Sequence, residues 1–152
     1  MEKAAKEGNP KAYDFPRAKI DEHPYDFSFS GVKSAVLNTI NAANMKGQQV
    51  SQADVAASFQ AAVIDSMKER VLMALEEFKI NKFAMAGGVA SNQTLRAALK
   101  EACEGVGAEF YCPKPVLCTD NAAMIGAAGY FEFINGKRDG LDLNAVPGLK
   151  LV

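Results

Sequence analysis

The chain has no tryptophan and a single histidine, His23, in 152 residues. One histidine excludes a His-rich metal centre. Because His23 stands beside Pro24 in a turn, it also leaves no Ser/His/Asp or Cys/His catalytic arrangement, and its side chain is expected in solvent. The three cysteines, Cys103, Cys112 and Cys118, are too few and oddly numbered for a disulfide framework. Their spacings, nine and six residues, match no common zinc pattern, so they read as reduced thiols in or near the core. No apolar run approaches the roughly 20 residues that cross a bilayer. The opening Met1-Glu2-Lys3-Ala4-Ala5-Lys6-Glu7 is charged and lacks the apolar heart of a signal peptide, so no membrane partner and a cytoplasmic location are expected. Charge of one sign is missing too. Lys and Arg number 17 against 18 Asp and Glu, a net charge near −1 that provides no overall field toward nucleic acid or membrane.

What remains is an ordinary globular composition, 49% hydrophobic and 23% charged. It is read as one domain over residues 1–152, with a loop-like tail from 137 to 152. Met1–Glu7 reads as a helical turn or two broken at Gly8. An irregular stretch carrying Phe15, Ile20 and Tyr25 follows. Asp26 to Gly31 alternates polar and apolar residues and predicts a half-buried strand with Phe27 and Phe29 in the core. Val32–Asn44 predicts a helix. A longer helix starts at Ser51, with Asp54 completing a capping box and Val55, Phe59, Val63, Met67, Val71, Leu75 and Phe78 as its core stripe. A strand over 82–86, a helix over 92–104 and a strand over 108–112 follow. A last helix over 121–135, capped by Thr119 or Asp120, closes the series. Its row Ala122, Ala123, Gly126, Ala127 and Gly129 predicts close packing on the sheet or another helix. Strand, helix, strand, helix implies parallel pairing, and the class is α/β, helix-rich, with a small parallel sheet.

Three segments carry possible chemistry. In Ala86-Gly87-Gly88-Val89-Ala90-Ser91-Asn92, a strand meets a glycine pair and then a helix start. Glycines let backbone approach a ligand, and the helix start offers N–H groups to a phosphate. The alternative is a plain tight turn with Asn92 as helix cap. In Cys118-Thr119-Asp120-Asn121, a carboxylate stands after a strand where parallel sheets bind ligands, able to hold a divalent metal or simply to cap the helix. In Asp26-Phe27-Ser28-Phe29-Ser30-Gly31-Val32-Lys33, Ser-Gly presents donors beside Lys33, or forms an ordinary turn with a solvated lysine.

Together and in this order, with Leu95-Arg96, Pro113, Ala122-Ala123-Met124-Ile125 and Ala56-Ala57-Ser58-Phe59-Gln60, these strings resemble the TsaD family. Its members are tRNA N6-adenosine threonylcarbamoyltransferases, formerly called O-sialoglycoprotein endopeptidases or glycoproteases. The resemblance covers only the carboxyl-terminal half of the family pattern. It implies one lobe of an actin-like, two-lobed ASKHA fold that binds ATP or threonylcarbamoyl-adenylate between its lobes. It also implies transfer of the threonylcarbamoyl group to N6 of a tRNA adenosine, with accessory subunits as partners. In the family one iron or zinc ion is held by an H-x-x-x-H pair and an aspartate. Asp120 matches that aspartate, Asn92 the asparagine that contacts the nucleotide, and Gly87 and Gly88 the glycine pair near the phosphates. The H-x-x-x-H pair and the first-lobe nucleotide residues are not in this sequence, so no catalytic residue is assigned. The expectation is a chain inactive without its missing amino-terminal lobe and prone to self-association. The other readings are a non-catalytic ATP-binding or interaction module, a metalloprotease, which the missing H-E-x-x-H argues against, and a kinase lobe of the same superfamily.

Overall fold

The computed structural model describes residues 1–17 and 23–148. Ile20 and the last four residues of the expected tail lie outside them. The elements run α1 (Glu2–Ala5), α2 (Ser30–Met45), α3 (Gln52–Glu77), β1 (Lys82–Ala84), α4 (Gln93–Gly105), β2 (Glu109–Tyr111) and α5 (Ala122–Ile134). Short 3-10 turns at Gly88–Ser91 and Pro115–Leu117 follow the two strands. The strands pair in parallel, Lys82 with Glu109, Phe83 with Phe110 and Ala84 with Tyr111. The α/β class and the parallel pairing are as expected.

The long helix α3 organises the rest. Ser51 caps it, its Oγ accepting from Asp54 N–H at 3.2 Å. The expected capping box is only half made, because the Asp54 carboxylate accepts from Asn9 N–H at 2.7 Å and so ties down the segment after α1. The buried face of α3 is also shifted from the expected stripe. Its buried residues are mostly small: Ala56, Ala57, Ser58, Ala62 and Ser66, with Ile64, Arg70 and Leu75. The large residues Val55, Phe59, Val63 and Met67 are half-buried at its border. Small side chains win the inside because backbone approaches there: a Cβ on Gly8 would lie 2.0 Å from the Ala53 carbonyl oxygen. Phe78 follows the helix as its cap residue, is 57% exposed and tilts against Tyr25 at 5.3 Å.

Helix α4 supplies two of the largest fully buried side chains, Leu99 and Cys103. Helical spacing turns Leu95, Ala98, Leu99 and Ala102 inward; Leu95, Leu99 and Ala102 are buried at 2%, 0% and 8% exposed, Ala98 is half-buried, and Cys103 beside them is 0% exposed. Leu95 and Leu99 join Ile64, Met85, Ala90 and Cys118 in one core. Cys103 joins Leu75 and Ala108 in a second. Phe83 and Phe110 meet across the strand pair at 6.1 Å. All three cysteines are free, two buried and Cys112 half-buried, in line with the reduced-thiol reading.

Two further segments depart from expectation. Residues 26–29 form no strand, and Ser30 already belongs to α2. The Asp26 carbonyl accepts from buried Arg70 Nε at 2.7 Å instead of from a neighbouring strand. Phe27 and Phe29, expected in the core, are 45% and 42% exposed, and their rings stack on each other at 5.9 Å with the Arg70 guanidinium over Phe27. The alternation was real, but it lays two rings along a groove wall. The second failure is α5, which buries no residue. A Cβ on Gly126 or Gly129 would meet nothing within 4 Å. A sheet of two short strands offers this helix no platform, so its small-residue row and its apolar side chains alike face outward. Its cap is Asn121, whose Oδ1 accepts from Met124 N–H at 2.9 Å, and not Thr119 or Asp120. Among the described residues no helix is long and apolar enough to cross a membrane.

Candidate functional site

Parallel pairing sends both strands out on the same side, so the loops after β1 and β2 meet. Met85 N–H extends the ladder to the Tyr111 carbonyl at 2.9 Å, and the chain then turns at Gly87. Gly87 has φ +87°, a conformation L side chains rarely adopt. Gly88 faces open space, and a methyl group added there would meet nothing within 4 Å. Ala90 N–H closes the turn on the Gly87 carbonyl at 3.0 Å. The result is an exposed glycine corner followed by one tight turn and the start of α4.

Asn92 is the N-cap of α4, its Oδ1 accepting from Leu95 N–H at 3.0 Å. Its Nδ2 donates to Gln60 Oε1 on α3 at 3.0 Å. Both ends of the amide therefore have protein partners, and the side chain links the glycine corner to the long helix. The first N–H of α4, on Gln93, donates to the Glu2 carboxylate at 2.9 Å. An internal anion thus takes one of the donors that the helix start offers, as a macrodipole favours. Gln60 and Glu2 were given no role by sequence reasoning. Gln60 carries a signal in hindsight, as a long polar side chain next to Phe59 on the border of the apolar stripe; Glu2 carries none.

Asn92 also borders an apolar groove of about 420 Å³ with Phe27, Phe29, Phe59 and Val89 along its walls. The segments around Phe27 and Asn92 therefore meet at one concavity. A second groove of about 790 Å³ runs between α2 and α3, sharing Phe29 and Phe59 and carrying Lys33 on its lining. His23 is exposed, as expected.

The segment around Cys118 joins the same corner through its sulfur. Arg96, one turn into α4, donates through Nε to the Ala90 carbonyl and through Nη2 to Cys118 Sγ at 2.9 Å. Cys112 Sγ lies 3.9 Å from that same carbonyl. Burial pushes the Cys112 thiol up, and Arg96 offsets this in part. Asp120, two residues past Cys118, is exposed in a shallow concavity with Asn121, Ala122, Met124 and Ile125. Among the described residues no three His, Cys, Asp or Glu side chains come together as a metal-holding group. Toward a metal, these residues supply the single carboxylate of Asp120, and they do not make a centre by themselves.

The sequence as a whole matches known proteins. The family model of TsaD, tRNA N6-adenosine threonylcarbamoyltransferase, matches residues 1–127. A protein of that name from Clostridium botulinum is 53% identical over 151 residues, 99% of this chain and 44% of the relative. One from Desulfitobacterium hafniense is also 53% identical over the same shares. One from Clostridioides difficile is 49% identical over 99% of this chain and 45% of the relative. The chain spans less than half the length of these relatives.

Proposed function

Because this chain belongs to the TsaD family of tRNA N6-adenosine threonylcarbamoyltransferases, we propose that it is the carboxyl-terminal part of such a transferase, one lobe of an actin-like ASKHA fold. The parent reaction moves threonylcarbamoyl from its adenylate to N6 of a tRNA adenosine. The observation that carries this reading is the corner at the carboxyl end of β1. There Gly87 at φ +87°, open Gly88 and the Asn92 cap converge with the loop after β2. That is where an open α/β sheet receives a ligand, and a glycine backbone leading into a helix suits a phosphate.

In this reading Gly87 and Gly88 line the phosphates of ATP or of the adenylate. Asn92 holds the edge of the corner, and its amide exchanges its bond to Gln60 for one to the nucleotide. Asp120 lends one oxygen to an iron or zinc ion whose other ligands come from outside this chain. When bound, that ion would polarise the group being transferred. No general base is assigned to this chain, and the chain alone is expected to be inactive. The tRNA, the amino-terminal lobe and accessory subunits belong to the longer protein's assembly, in a cytoplasmic setting.

The exposed apolar surface supports the missing-lobe reading. Phe27, Phe29 and, on α5, Ile125, Tyr130, Phe131 and Phe133 are all 42% or more exposed. Unpartnered apolar area of this kind marks an interaction face.

The test is a calorimetric titration of Mg-ATP into the chain and into Gly88→Val. A Cβ at Gly88 meets nothing within 4 Å, so there is room for a side chain to fill the corner while the fold is kept. Binding to the parent chain that Gly88→Val abolishes is the expected result. Equal heats for both, or none at millimolar ATP, contradict a pre-formed half-site.

A further inference from the structure

We propose that Cys112 and Cys118 form a modification site, a dithiol that closes to an intramolecular disulfide when the chain meets a hydroperoxide. The segment joining them is folded back on itself. Cys118 Sγ lies 3.7 Å from the carbonyl of Pro113, the residue after Cys112, and 3.6 Å from that of Lys114. Pro113 and Pro115 restrict the backbone between the two thiols, so little chain freedom is lost on closure. Arg96 holds the arrangement from the other side, donating to Cys118 Sγ at 2.9 Å and to the Ala90 carbonyl that Cys112 also faces at 3.9 Å. Both sulfurs therefore border the one Arg96–Ala90 contact, and Cys118 adds to the upward push on the Cys112 thiol.

Exposure separates this pair from the third cysteine. Cys112 is half-buried and gives a small oxidant access, whereas Cys103 is 0% exposed in a different core cluster with Leu75 and Ala108. The chemistry balances with a hydroperoxide as oxidant. One sulfur attacks the peroxide oxygen, breaks the O–O bond and becomes a sulfenic acid, releasing water or the alcohol. The second thiol displaces that hydroxyl as a second water while the S–S bond forms. The two sulfurs lose two electrons and two protons, and the peroxide takes both. The new bond ties the end of β2 to the residue two before Asp120, and so fixes the loop that carries this carboxylate beside the glycine corner.

The experiment exposes the chain to a small excess of hydrogen peroxide, blocks remaining thiols with an alkylating agent and weighs the product. The expected product has lost the mass of two hydrogens and keeps one alkylatable thiol. Fragmentation places the link between Cys112 and Cys118, and a dithiol reductant restores all three thiols. Cys103→Ser gives the same link, and Cys112→Ser and Cys118→Ser each abolish it. The half-buried Cys112 position provides the decisive variant where the buried Cys118 substitution perturbs folding, and circular dichroism of each variant shows which case applies. Oxygen added to a single sulfur without mass loss, links only between chains, or a link that uses Cys103 would each overturn the proposal.

Discussion

Replacing Asn92 separates the structural work of this residue from the ligand role proposed for it. Asn92→Ala removes two bonds: the cap to Leu95 N–H at 3.0 Å and the bond to Gln60 Oε1 at 3.0 Å. A lost N-cap costs about 1 kcal/mol, and a lost half-buried side-chain hydrogen bond about 1 kcal/mol more. The combined cost is about 2 kcal/mol. With a urea slope of about 2 kcal/mol/M, the unfolding midpoint falls by about 1 M. Asn92→Ser keeps an oxygen at the cap but cannot reach Gln60, so about half of the shift is expected. Gln60→Ala should cost about the same as Asn92→Ser, and the double variant Asn92→Ala with Gln60→Ala should fall short of additivity by about 1 kcal/mol. The assay is urea unfolding followed by circular dichroism. An Asn92→Ala midpoint unchanged within error, or an Asn92→Ser midpoint as low as that of alanine, would refute the two-bond account.

Three further outcomes follow from the geometry. Gly8→Ala places a methyl 2.0 Å from the Ala53 carbonyl oxygen, which pushes α1 off α3 and costs about 1–3 kcal/mol. Hydrogen exchange should speed up in residues 2–12 while α4 stays protected, and unchanged exchange there would contradict this packing. Because burial holds the Cys112 thiol above its ordinary range, its thiolate appears only at higher pH. Its alkylation rate should therefore rise at a higher pH than that of a free thiol, and a profile matching free cysteine would count against that environment. The outward apolar face of α5 should drive association, so light scattering should show dimers or larger species as concentration rises. Ile125→Lys and Phe131→Lys should reverse this; a monodisperse monomer at high concentration would contradict it.

Local periodicity predicted what depended on neighbours in sequence. The helix α4 has one sharp apolar face, and Leu95, Leu99 and Ala102 went inside as their spacing required. The parallel pair β1 and β2 followed from its strand–helix–strand order. What failed depended on partners distant in sequence. The segment around Phe27 alternates like a strand, yet the Asp26 carbonyl bonds to Arg70, forty-four residues on. The small-residue row of α5 signals close packing, but nothing among the described residues lies against it. On the reading proposed above, that row is part of the face the rest of a transferase would cover. At the site, the glycine corner and the Asn92 cap were legible because turn and cap chemistry is local. The Gln60, Glu2 and Arg96 contacts were not, because each joins elements brought together only by folding.

The most direct test of the proposed function joins this chain to the amino-terminal part of a relative. The region of the Clostridium botulinum relative that this chain matches is replaced by this chain, leaving that relative's amino-terminal part in place. The chimaera and the chain alone are each given tRNA and the threonylcarbamoyl-adenylate, and threonylcarbamoyladenosine is measured in the digested tRNA. The account predicts modified nucleoside from the chimaera, none from the chain alone, and loss of product with Asp120→Ala in the chimaera. Product from the chain alone, or a folded chimaera that makes none, would contradict it.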